Sequence, residues 1–175
     1  MIARHNNAWW TGEAGDPAGI RDLFLALLPI IDRVFGREHP GTLAVRHELA
    51  RWTGEAADPV AARDLLAVLL PVGEEASGTE HPGTLTTRHE LAHWTGQAGD
   101  PAAARDQYEE LLPVRERAPA PETLTDRRSL AFWTGVAGDT AGARDQLAAL
   151  LPVRERILGP QHPATLNTRG SLAVG

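Results

Sequence analysis

The 175 residues contain no cysteine and no lysine, one methionine, one tyrosine and three phenylalanines. Without cysteine there can be no disulfide, thiolate metal site or cysteine nucleophile, and the composition leaves the redox compartment open. All 17 basic residues are arginine, no run of them forms a patch, and 23 acidic residues outnumber them for a net charge of -6. This balance argues against nonspecific binding to nucleic acid or to a membrane surface, both of which rely on clustered positive charge. Long apolar runs are also missing. The longest, Leu23 to Ile31, is interrupted by Pro29 and too short to span a bilayer. The first residues, MIARHNNAWW, lack signal-peptide form, so a cytoplasmic address is expected. What is present is a globular composition, 42% hydrophobic and of one-domain length. Aromatic residues are scarce, at 5%, yet five of them are tryptophan.

Four of those tryptophans, Trp10, Trp52, Trp94 and Trp133, open the same tripeptide Trp-Thr-Gly at spacings of 42, 42 and 39 residues. Spacing this regular marks internal repetition. The chain reads as a single repeat domain, 1–175, divided into units 1–38 (truncated at its start), 39–80, 81–119, 120–161 and the half unit 162–175. Both ends thus fall in mid-repeat. Within a unit, helical periodicity occurs twice: Leu43, Arg46, Leu49, Ala50 and Thr53 follow 3.6-residue spacing, as do Ala62, Leu65, Leu66, Leu69 and Val72. Each unit is therefore a pair of helices, A and B. Pro40 suits the first position of helix A, and Asp58-Pro59 supplies a cap and a first-turn proline for helix B. Gly36, Gly78 and Gly159 stand where helix B should stop. A proline also falls inside helix B, at Pro29, Pro71, Pro113 and Pro152. It removes one backbone hydrogen bond, so a kink is expected there, the rival being a true break with a short third helix.

These features resemble the tetratricopeptide repeat, in the 42-residue form of kinesin light chains and of repeat-rich signalling proteins of high-GC bacteria. The resemblance spans essentially the whole chain. It rests on His-Pro-x-Thr-Leu at the start of helix A, the small residue at Ala8, Ala50, Ala92 and Ala131, the Gly-Asp between helices, and the alanine early in helix B at Ala62, Ala104 and Ala143. Two positions depart from the family pattern: Thr11, Thr53, Thr95 and Thr134 replace its tyrosine, and Ile20 replaces the helix B alanine in the first unit. The resemblance implies an all-α, right-handed solenoid of stacked antiparallel helix pairs, about nine helices in all. One pair cannot bury its apolar faces alone, so neighbouring units share a core. The tryptophans are expected to fill the junctions in that core.

Charged positions recur as faithfully. Arg4, Arg46, Arg88, Arg127 and Arg169 lie in helix A, and Arg-Asp pairs at 21/22, 63/64, 105/106 and 144/145 lie in helix B. They read either as solvated charge or as partly buried bridges between helices, made by residues such as Asp64 and Asp106. The segment HELAH, from His89 to His93, has the spacing of a zinc-protease helix, with Glu90 as general base. The equivalent segments, HELAR, HNNAW and RSLAF, lack that pattern, and no third ligand is evident. Neither a catalytic site nor a cofactor is expected, and metalloenzyme chemistry is a distant alternative. His39, His81 and His162, before helix-starting prolines, are expected to make local hydrogen bonds.

The residue before each repeated tryptophan varies most between units: Trp9, Arg51, His93 and Phe132. One turn earlier come His5, His47, His89 and Arg128. By the resemblance, this strip faces the concave groove, and its aromatic, imidazole and guanidinium groups suit peptide recognition. The expected function is a non-catalytic scaffold binding an unknown protein or peptide. The alternative is head-to-tail self-association through the cut ends, a heterologous contact that builds open arrays.

Overall fold

A computed structural model describes residues 16–117 and 121–173 of the chain. Eight helices and no strand occur among them: α1 (Pro17–Phe35), α2 (Pro40–Glu55), α3 (Pro59–Ser77), α4 (Pro82–Gln97), α5 (Pro101–Arg117), α6 (Pro121–Val136), α7 (Thr140–Leu158) and α8 (Pro163–Ala173). Odd-numbered helices are the B helices and even-numbered ones the A helices. The helix expected over the first residues, with Arg4, His5, Trp9 and Trp10, lies outside the described residues.

Helix starts follow the capping chemistry. Asp16, Asp58, Asp100 and Asp139 each accept a hydrogen bond from the backbone N–H three residues on, at 2.8 to 3.0 Å. Helix A uses a less common cap: the Nδ1 atoms of His39, His81 and His162 accept from the N–H of Gly41, Gly83 and Ala164, at 3.1 to 3.2 Å. The histidines therefore make the expected local bonds, through a neutral ring nitrogen. Gly36, Gly78 and Gly159 end the B helices with φ of 88°, 97° and 93°. Between helices A and B, Gly99 and Gly138 also hold positive φ, but Ala57 takes the equivalent place at φ 67°.

The internal prolines do not divide helix B. Helices α1, α3, α5 and α7 run without interruption through Pro29, Pro71, Pro113 and Pro152. Each proline is exposed, and so is the residue four before it, Leu25, Ala67, Glu109 and Ala148. The carbonyl that loses its partner thus lies on the solvent side, where water can replace the missing N–H.

The chain divides into two compact units, Met1–Ala98 and Gly99–Gly175. In the first, α1 packs on α2, α2 on α3 and α3 on α4, and α2 also touches α4. In the second, α5 packs on α6, α6 on α7 and α7 on α8. The small residues common to the repeats stand at the closest approaches: Ala50, Ala62, Ala92 and Ala104 are fully buried. Ile20 is fully buried as well, in a cluster with Phe24, Leu27, Ile31, Val45 and Leu49.

The tripeptide Trp-Thr-Gly acquires a physical reason from α2 and α4. Trp94 is buried with Ala50, Ala62, Leu66 and Leu69, and its ring lies over Gly54. A β-carbon at Gly54 would sit 2.4 Å from the six-membered ring of Trp94. The glycine of one tripeptide is therefore the notch for the next repeat's tryptophan. The threonines between them, Thr53 and Thr95, are buried and donate their hydroxyls to the carbonyls of Leu49 and Leu91, each at 2.7 Å.

Candidate interaction surface

In the first unit, the sequence-derived strip forms one face of α2 and α4. The Arg51 guanidinium lies 4.3 Å above the Trp52 ring and pairs with Glu48 at 2.7 Å. On α4, the imidazole of His93 meets the Trp94 ring edge-on with centroids 4.8 Å apart, and the indole N–H of Trp94 donates to Glu90 at 3.1 Å. Burial holds the pKa of His47 and of His93 below the ordinary imidazole value. For His47 the carboxylates of Glu90 and Glu48 oppose that shift, whereas Arg51 and His89 add to it, which places these groups within electrostatic reach of one another. The Nε2 atom of His47 is buried and has no hydrogen-bond partner among the described residues.

In the second unit, Phe132 is 53% exposed and stands edge-on to Trp133, at 4.8 Å between ring centroids. Arg128 is exposed one turn earlier on α6. Trp9 lies outside the described residues. Wherever the strip is described, the residue before the tryptophan contacts its ring: a cation over the face at Arg51, an imidazole at the edge at His93, a phenyl ring at the edge at Phe132. Contact with the indole orients each variable group, leaving Arg51 and His93 half-buried and Phe132 exposed.

The HELAH segment is engaged differently from a zinc helix, because Glu90 is the acceptor for Trp94. Among the described residues, no group of three or more potential ligands is placed to hold a metal ion.

The Arg-Asp pairs follow the solvated reading, and the helix A arginines make the bridges between helices. Arg63 and Arg105 do not reach across to another helix; each pairs with its sequence neighbour, Asp64 or Asp106, at 2.7 and 2.6 Å on the exposed side of its own helix. Arg21 and Asp22 do the same at 2.8 Å. Bridges between helices exist, but other acids make them. Arg46 pairs with Asp32, Arg88 with Glu74, Arg127 with Glu116 and Arg169 with Glu155. Antiparallel packing sets the second turn of helix A against the last turns of the preceding helix B, and Glu74 lies about 15 Å along α3 from Asp64.

Two buried arginines escaped the sequence reading. Arg115 forms a 2.9 Å ion pair with Asp126, and their side chains are 7% and 1% exposed. Arg154 donates from Nη1 to the Ala164 carbonyl and the Thr168 hydroxyl, at 2.9 and 2.7 Å, and from Nη2 to the Leu124 carbonyl at 2.9 Å. Burial pushes its pKa down, with the Arg128 charge adding to the shift. The signal that could have found both is their register, two residues after the helix B proline.

Paired helices with these caps, notched tryptophans and consecutive packing define a helical-repeat fold. The tetratricopeptide repeat family model matches residues 84–118 and 124–164. In fold, the chain resembles tetratricopeptide-like repeats of the kinesin light chain type. Two crystal structures from Podosopora anserina, of a protein assigned as a kinesin light chain with nearly identical TPR-like repeats, superpose with TM-scores of 0.87 and 0.86. In each case the identity is 24%, over 99% of this chain and 84% of that one. BtubC (BKLC) from P. vanneervenii gives a TM-score of 0.78 at 16% identity, over 89% of this chain and 63% of that one. At these identities the likeness is one of fold. No curated protein sequence matches the chain. No helix among the described residues is long and apolar enough to cross a membrane.

Proposed function

We propose that the chain is a non-catalytic scaffold that binds a protein or peptide through its A helices, by Arg51 and His93 in the first unit and by Phe132 in the second. Tetratricopeptide-like repeats generally mediate protein–protein interaction. The observation that supports this reading is the packing of a variable, partly or fully exposed group against each described tryptophan of the repeat. The scaffold position is constant and rigid, while the group it displays changes from cation to imidazole to phenyl ring. Such oriented aromatic and guanidinium groups are the side chains that dominate interface energetics. The test is peptide selection from a displayed random library, followed by affinity measurement on Arg51→Ala/His93→Ala/Phe132→Ala. The triple variant should melt like the parent and bind the selected peptides at least about tenfold more weakly, a loss of 1.4 kcal/mol or more. Unchanged affinity in a folded triple variant would remove these residues from consideration.

A second reading, head-to-tail self-association, is favoured by Leu166 on α8. It is 43% exposed, whereas Leu85 and Leu124 at the equivalent position are each 7% exposed. Sedimentation velocity over a range of concentrations distinguishes a growing array from a monomer. Leu166→Glu should abolish growth, and a parent that stays monomeric throughout would dispose of this reading.

A further inference from the structure

One buried position is solved differently in every repeat. Two residues after the helix B proline stand Ile31, Gly73, Arg115 and Arg154, and the facing position on the following helix A holds Val45, Thr87, Asp126 and Thr168. Ile31 and Val45 fill the space with hydrocarbon. Arg115 and Asp126 fill it with an ion pair, and Arg154 fills it with a guanidinium bound to two carbonyls and a hydroxyl. Gly73 leaves it empty. A β-carbon there would meet only the Thr84 hydroxyl, at 3.9 Å. A cavity of about 410 Å³ opens at this point, lined by Leu43, Gly73, Gly83 and Thr84 and extending to His47 and Glu48.

The acceptors that hold Arg154 all have counterparts around Gly73. The Leu124 carbonyl corresponds to that of Leu43, and the Ala164 carbonyl to that of Gly83; both counterparts belong to residues lining the cavity. Thr168 corresponds to Thr87, and the two hydroxyls make the same bond, to the Ala164 and Gly83 carbonyls, each at 3.0 Å. Two further lining residues bear on the ligand: Glu48, whose carboxylate also pairs with Arg51, and His47, whose buried Nε2 has no hydrogen-bond partner. The rim includes the exposed residues Pro40 and Ser77, so the cavity is open to solvent.

We propose that the cavity at Gly73 is a binding site for an alkylguanidinium, a guanidinium group on a short apolar stem. It is the Arg154 site with the arginine side chain deleted. The planar fork matches several carbonyl and hydroxyl acceptors at once, which an ammonium does not, and the stem packs against the apolar wall. The ligand is either a small free molecule or an arginine side chain presented by a partner.

The test is a titration of the purified chain with n-propylguanidinium, the fragment that glycine lacks relative to arginine. Propylurea serves as the neutral control, and a blocked Gly-Arg-Gly peptide as the arm for a partner's arginine. Propylguanidinium should bind saturably and raise Tm, and propylurea should do neither. Gly73→Arg supplies the group within the chain, so it should raise Tm and weaken propylguanidinium binding at least about tenfold. Gly73→Ile copies Ile31 and should also close the site, which preserves the test if the arginine variant fails to fold. Saturable binding of the peptide supports the site with a partner's arginine as the source, and binding of propylguanidinium alone supports it with a free molecule. The proposal is overturned if propylguanidinium does not saturate, if propylurea binds equally well, or if a folded Gly73→Ile chain binds as the parent does.

Discussion

Where α1 meets α2, Ile31 lies against Val45; where α5 meets α6, the same two repeat positions carry Arg115 and Asp126. Hydrocarbon in that place stabilises in proportion to the area removed from water and asks little of its partner's orientation. A desolvated ion pair does the reverse. Its attraction mostly offsets the loss of hydration, so each member is tolerable only while the other is present. One repeat architecture thus accepts both chemistries in one location, but the two units should fail in different ways.

The largest effect expected from this difference is at Asp126. Its replacement by alanine leaves the Arg115 charge buried without a counter-ion and should cost about 3–5 kcal/mol in urea denaturation. Val45→Ala removes only two methyl groups and should cost about 2 kcal/mol. Copying the first unit into the second, with Arg115→Ile and Asp126→Val together, should restore stability to the parent level or above it. If Asp126→Ala proved no worse than Val45→Ala, the pair would have to be hydrated, and the contrast between the units would collapse.

A smaller contrast separates two tripeptide glycines. At Gly54 a β-carbon would strike the Trp94 ring at 2.4 Å, whereas at Gly135 it would meet only the Ala143 methyl, at 3.3 Å. Gly54→Ala should therefore destabilise by about 1–3 kcal/mol through overpacking. Gly135→Ala should stay near neutral, because the tighter contact is balanced by a helix-propensity gain of about 1 kcal/mol. A double-mutant cycle sharpens the comparison: the Gly54→Ala penalty should vanish in a Trp94→Ala background, while the Gly135→Ala effect should be unchanged.

The difference in legibility between these features is instructive. The 42-residue spacing and the Asp-Pro and His-Pro starts reveal the helices because capping is local, encoded within three or four residues. Trp-Thr-Gly is visible as a repeat, yet its glycine is explained only by a tryptophan 40 residues later. Adjacent Arg63 and Asp64 invite a long-range bridge and make a local one, while Arg88 reaches Glu74 across the helix pair. Side-chain partners across antiparallel helices depend on the stagger of the pair, which composition does not encode. His47, Arg51, His89 and His93, which we propose as interaction residues, lie on α2 and α4, each at a constant offset from a tryptophan of the repeat. Arg115 and Arg154 went unnoticed because arginine near the end of a helix ordinarily signals a solvated last turn.

The two units also differ in how they should respond to acid. Half-buried imidazoles occur in the first, at His47 and His93, whereas His162, in the second, is an exposed cap. Both half-buried rings have pKa values lowered from 6.5, chiefly by desolvation. As pH falls through 6.5, the unfolded chain takes up protons that the folded chain refuses, so stability declines until the folded values are passed. Above that range both states are neutral and these groups contribute no pH dependence. Urea midpoints measured between about pH 7 and pH 5 should therefore fall for the parent and fall less steeply for His47→Gln/His93→Gln. Equal slopes in the two proteins would mean that the acid sensitivity resides elsewhere, and that the α2–α4 face holds its histidines as freely as the solvent does.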